Sequence, residues 1–98
     1  MDYTGYVRKK LSKYGYETIE WRSKEKKEKV RKKHGVDPKE ILKLLKAGDY
    51  KECFPNPSPR DYFDYEESFI VRLKDKNSKQ YEVVLYFMGD KVIIATAY

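Results

Sequence analysis

From Ser68 to Tyr98 the chain is written almost entirely in strand chemistry, and this constrains the fold more than any other feature. Ser68–Lys74 alternates, with Phe69, Val71 and Leu73 on one side and Arg72 on the other. Tyr81–Met88 is longer and more apolar, and Lys91–Tyr98 follows it. Asp75-Lys76-Asn77-Ser78 and Gly89-Asp90 separate the three runs with turn-forming residues. Strand-length runs joined by such short turns pair most simply with their neighbours in antiparallel fashion. The pattern predicts an antiparallel meander with Tyr81–Met88 at its centre, because a strand flanked on both sides is the more apolar one. Tyr50–Phe54 is a further candidate strand. Pro55, Pro57 and Pro59 then forbid regular structure and predict a stiff loop.

The first half reads differently. Tyr3, Tyr6, Val7, Leu11 and Tyr14 recur at helical spacing over Asp2–Tyr14, with Arg8, Lys9, Lys10 and Lys13 mostly on the other side and Gly15 as a stop. Tyr16–Trp21 alternates and is rich in strand formers, which predicts a short strand. Ser23 can cap a second helix over Lys24–His34. That helix has almost no apolar stripe beyond Val30. It offers opposite charges at i,i+4 spacing instead: Lys24 with Glu28, Glu25 with Lys29, Glu28 with Lys32. Asp37-Pro38 is a strong helix start, Ile41, Leu42, Leu44 and Leu45 form an apolar face, and Gly48 ends it. Helical segments followed by a run of strands read as an α+β class. The 98 residues fit one domain, and no repeat or linker divides them.

Several function classes are excluded by what the sequence lacks. No apolar stretch approaches the roughly 20 residues of a membrane-spanning helix, and the start of the chain lacks the apolar centre of a signal peptide. A cytoplasmic protein is the default expectation. The single Cys53 rules out an internal disulfide and agrees with a reducing compartment. The five scattered glycines form no phosphate loop and no dinucleotide fingerprint. One Cys and one His without paired spacing argue against zinc, so neither metal nor cofactor is expected. Nothing positions Cys53 and His34 as a nucleophile and base. Glu66 and Glu67, adjacent in a strand, face opposite sides and form no acid–base pair.

The charge distribution points to a polyanionic partner. The chain carries 22 Lys/Arg against 16 Asp/Glu, a formal net charge of +6. Residues 1–48 hold 15 Lys/Arg and 7 Asp/Glu, so 15 − 7 = +8; residues 49–98 hold 7 and 9, so 7 − 9 = −2. A positive field concentrated on one half attracts nucleic acid. The plainer alternative is a lysine-rich face that only confers solubility. Among the cations, Arg31, Lys32, Lys33 and His34 end the charged helix, Arg60 lies in the proline loop, and Arg72 sits on a strand. Cleaving RNA without metal needs a group to take the 2′-hydroxyl proton, charge to stabilise the phosphorus centre, and an acid for the leaving 5′-oxygen. His, Lys, Arg and Tyr can fill these roles, and aromatic rings can stack on splayed bases. The plainer readings are a helix-end histidine for His34, a solvent-facing strand arginine for Arg72, and a packed core ring for Tyr86.

Ile19-Glu20-Trp21, a charged helix, and then Lys33-His34-Gly35-Val36-Asp37-Pro38-Lys39-Glu40 resemble the start of the BrnT-type toxins. The last strand, Val92-Ile93-Ile94-Ala95-Thr96-Ala97-Tyr98, is similar to theirs too. The resemblance covers roughly residues 16–98 and leaves 1–15 as an added N-terminal helix. It implies a RelE-like fold, with helices packed on one face of a small twisted antiparallel sheet, and metal-independent endoribonuclease activity on RNA, free or ribosome-associated, neutralised by a cognate antitoxin protein. Lys33 and His34 match the Lys-His-Gly motif by position, and Arg72 falls on a strand where such toxins carry a basic residue. BrnT-like proteins tend to place arginines just after the final strand, whereas this sequence stops at Thr96-Ala97-Tyr98. Tyr98 stands where RelE-type toxins can use a tyrosine. The implied catalytic set is therefore His34, Arg72 and Tyr98, with Arg31, Lys32, Lys33 and Arg60 on RNA. The alternative is a non-catalytic module of the same fold that binds nucleic acid or a protein.

Overall fold

In the computed structural model the described residues are 2–35, 37–59 and 64–97, with Val30, Lys33 and His34 described by backbone alone. Arg60 and Tyr98 lie outside the described residues. The elements in chain order are α1 (Thr4–Leu11), a 3-10 turn (Tyr16–Thr18), β1 (Ile19–Trp21), α2 (Lys24–His34), α3 (Pro38–Ala47), β2 (Tyr50–Pro55), β3 (Glu67–Lys74), β4 (Gln80–Met88) and β5 (Lys91–Ala97).

Local chemistry sets the helix ends. The Ser23 hydroxyl accepts from the Lys26 amide at 3.0 Å, the expected cap of α2. The Asp37 carboxylate accepts from the Lys39 amide at 3.0 Å, and Pro38 opens α3. Gly48 ends α3 at φ +74°, in the left-handed region where a side chain is disfavoured. The Asp75 carboxylate accepts from the Asn77 and Lys79 amides, both at 2.9 Å, and closes the β3–β4 turn. These bonds, the Lys79 amide first, hold the Asp75 carboxyl below its ordinary range.

The sheet order is β1-β5-β4-β3-β2. The β3-β4-β5 meander is antiparallel and β4 is central, as the pattern predicts. The expectation of a wholly antiparallel sheet is corrected: β1 pairs with β5 in parallel, Ile19 opposite Val92 and Trp21 opposite Ile94, so the sheet is mixed. A parallel pair needs a long crossover. Here everything from α2 to β4 serves as that connection, a relationship that no local pattern carries. The predicted Tyr16–Trp21 strand is shorter than expected, because Tyr16–Thr18 coils into the 3-10 turn.

One sheet face carries the main core. Val7 and Leu11 of α1 and Ile41 and Leu45 of α3 pack against Phe69, Val71 and Leu73 of β3 and Val83, Leu85 and Phe87 of β4. Strand alternation sends these residues to one side. The other side holds a smaller cluster of Tyr86, Ile93 and Ala95, with Tyr65, Val84 and Met88 against it. Tyr86 is thus a packed ring, as its plainer reading holds. α2 lies along β1 and β5 and touches α3. Among the described residues no helix is long and apolar enough to cross a membrane.

Candidate nucleic-acid interface

The expected cations occupy separate environments. Arg31 and Lys32 lie exposed on α2. Arg31 reaches only a loose 3.9 Å ion pair with Asp37, both side chains being more than half exposed. Lys33 and His34 end α2, and their side chains lie outside the described atoms. Gly35, at φ +61°, turns the chain away, and its carbonyl accepts from the Lys79 ammonium at 3.3 Å. The Lys33-His34-Gly35 corner therefore stands beside the β3–β4 turn. The three i,i+4 pairs expected along α2 are not closed: no ion pair within 4.0 Å joins Lys24 to Glu28, Glu25 to Lys29 or Glu28 to Lys32. Holding two long exposed side chains together costs rotamer entropy that a weak attraction in water does not recover. Lys29 and Lys32 keep their charge unpaired among the described residues.

Arg72 is differently placed. It lies on the sheet face opposite Phe69, Val71 and Leu73, as the alternation predicts. Its guanidinium donates to Glu52 of β2 at 2.8 Å and to Glu82 of β4 at 3.2 Å, and stacks 5.2 Å from the centre of the Phe54 ring. The hydrogen bond to Glu82, then that to Glu52, raises its already high pKa. Arg72 clamps three neighbouring strands, and both its carboxylate partners would compete with a phosphate for it.

A second cationic site, outside the residues singled out above, lies along α1. Tyr6, Lys9, Lys10, Lys13, Tyr14 and Gly89 line a groove of about 470 Å³ between α1 and the β4–β5 turn. Tyr6 and Lys10 lie one helical turn apart on α1, Lys9 stands beside them, and Lys13 and Tyr14 follow in the turn after Leu11. Lys10 forms the floor. Its ammonium lies 2.9 Å from the Glu67 carboxylate and 5.1 Å from the centre of the Phe87 ring. Tyr6 also donates to Glu67. Burial pushes Lys10 toward neutrality, but the Glu67 bond and charge outweigh it and raise its pKa. Burial likewise works to raise the Glu67 carboxyl, and the bonds from Tyr6 and Lys10 pull it below the ordinary range. Tyr14 is fixed by its hydroxyl, which donates to the Gly89 carbonyl at 2.7 Å, and by the Phe87 ring at 6.0 Å. Lys9 and Lys13 remain exposed at the rim with no ion-pair partner among the described residues.

The i,i+4 spacing of Lys9–Lys13 and of Tyr6–Lys10–Tyr14 was visible in the sequence. Nothing local indicated that Glu67 and Gly89, some sixty and eighty positions downstream, would complete the groove. Among the described residues no cluster of three or more His, Cys, Asp or Glu could hold a metal ion. Fold and surface together define an α+β protein with a mixed five-stranded sheet and a basic, tyrosine-bearing helical surface. Compared with family profiles, curated proteins and solved structures, the chain matches none of them.

Proposed function

We propose that this protein binds RNA through the basic surface presented by α1 and α2. The observation that carries the reading is a set of exposed lysines, unpaired among the described residues: Lys9 on α1, Lys13 in the turn that follows it, and Lys29 and Lys32 on α2. They realise the +8 of residues 1–48 against the −2 of the remainder. An exposed ammonium without a carboxylate neighbour is the group that gains most from a phosphate, by releasing the counterions condensed on the polyanion.

The BrnT/RelE-like resemblance extends this reading to a toxin-type, metal-independent endoribonuclease held in check by an antitoxin protein. In that form His34 exchanges the protons, Arg31 and Lys33 stabilise charge at phosphorus, and Tyr98 stacks or transfers a proton. The second reading, a non-catalytic RNA-binding module, is favoured by Arg72, whose guanidinium already serves Glu52 and Glu82. The test is incubation of a long mixed-sequence RNA with purified protein in EDTA, beside binding measured over a salt series. Fragments that vanish in His34→Ala support the nuclease. Binding that weakens steeply with salt over intact RNA, repeated on translating ribosomes without cleavage, supports the module. No binding at low salt leaves the lysines as solubilising charge.

A further inference from the structure

We propose that a strip running Tyr6, Lys10, Tyr14, Lys46, Tyr16 takes single-stranded RNA, stacking bases on Tyr6 and Tyr16 while Lys9 and Lys13 engage the phosphates. The inference rests on the RNA-binding reading and gives it a surface and a strand form. Among the described residues the exposed large hydrophobic side chains are Tyr6 and Tyr16, at 48% and 54%. Each side chain is thus about half open to solvent, as stacking against a base requires. Both rings sit beside lysine: the Lys10 ammonium is 5.9 Å from the Tyr6 centroid, and the Lys46 ammonium is 6.0 Å from that of Tyr16.

The strip is continuous and held from below. Lys46 of α3 donates to the Tyr14 carbonyl, which ties the end of the α1 segment to α3. Tyr14 is anchored on Gly89, and Tyr6 rests on Phe69 with ring centres 5.6 Å apart. Tyr6 and Tyr14 are therefore positioned before any ligand arrives, which lowers the ordering cost of binding. Aromatic platforms alternating with cations are the arrangement that holds single strands, since every base has a face to stack and every nucleotide a phosphate to neutralise. A duplex hides its base faces and offers only its backbone and groove edges. An acidic protein segment would use the lysines and leave the rings idle.

The test is fluorescence-anisotropy titration with a labelled single-stranded RNA. The comparison probes are the same length of abasic RNA, duplex RNA and poly-glutamate. The wild-type chain is expected to prefer the single strand over all three. Tyr16→Leu and Tyr6→Leu are each expected to weaken it roughly 5- to 100-fold, with little change in salt slope. Lys9→Gln with Lys13→Gln is expected to reduce the slope of log K against log salt by roughly 0.7 per lost phosphate contact. Tyr16 projects from a short turn, so Tyr16→Leu reports on stacking even where Tyr6→Leu disturbs α1, and circular dichroism separates the two effects. Wild-type-like binding in both tyrosine variants, with loss in Lys29→Gln/Lys32→Gln, overturns the strip and leaves the RNA reading standing on α2. Equal affinity for abasic RNA, duplex or poly-glutamate overturns the stacking inference. No binding to any RNA at low salt overturns the RNA reading and the strip with it.

Discussion

The Lys10 ammonium lies 2.9 Å from the Glu67 carboxylate and so ties α1 to the first residue of β3 across 57 positions of sequence. The side chains are 20% and 34% exposed, which places the pair between a surface and a buried bridge. Beneath it Val7 and Leu11 enter the main core. The N-terminal helix thus contributes side chains to the hydrophobic core.

Glu67→Gln should cost about 0.5–1 kcal/mol at neutral pH, at the upper end of partly exposed pairs. The Glu67 carboxyl is held below its ordinary value of 4.5 in the folded state. A depressed folded pKa contributes stability that is present above the unfolded value and lost as pH falls through the folded one. The gap between wild type and variant in urea denaturation should therefore be full above about pH 4.5 and close below it. A gap unchanged under acid would mean that the carboxylate charge is not what stabilises α1.

Gly48→Ala should destabilise by about 1–2 kcal/mol, because φ is +74° and an L side chain is strained there. An added Cβ would also lie 3.0 Å from Cγ of Arg8, whose Nε donates to the Gly48 carbonyl at 2.7 Å. The effect should exceed that of Gly5→Ala, where nothing lies within 4 Å. Equal thermal shifts for the two variants would contradict this placement of the α3 terminus.

Cys53 should be inert in the folded protein. It is fully buried opposite Val71, and burial pushes its thiol up to about 11. The thiolate is the reactive form. At pH 8 a thiol reagent should modify Cys53 only through opening of the fold, at a rate that rises with denaturant. Prompt stoichiometric labelling in native buffer would show that β2 is not closed over it.

Arg72→Ala should weaken the fold and leave RNA affinity unchanged, because Glu52 and Glu82 are left facing each other across β3 without their shared cation. High salt screens such exposed charges. The difference in urea midpoint between wild type and variant should shrink markedly in about 1 M salt. A loss of RNA binding without a loss of stability would return Arg72 to the phosphate-contacting set.

Much of the local structure could be read from the residues alone. Ser23 and Asp37-Pro38 set the starts of α2 and α3, Gly48 ended α3, and Asp75 and Gly89-Asp90 punctuated the meander, because caps and turns act over two to four residues of backbone. The alternation of Phe69, Val71 and Leu73 fixed which face is core and put Arg72 on the other. Tertiary structure alone decided the rest. The parallel β1–β5 pair makes the sheet mixed and depends on which distant strand edge is left free. The pairing of Arg72 with Glu52 and Glu82, and of Lys10 with Glu67, depends on strand register and helix docking. A sequence shows which charges exist. Their electrostatic partners are chosen by distance in space, which is how a plain helical stripe of tyrosine and lysine became a groove only when Glu67 and Gly89 were folded against it.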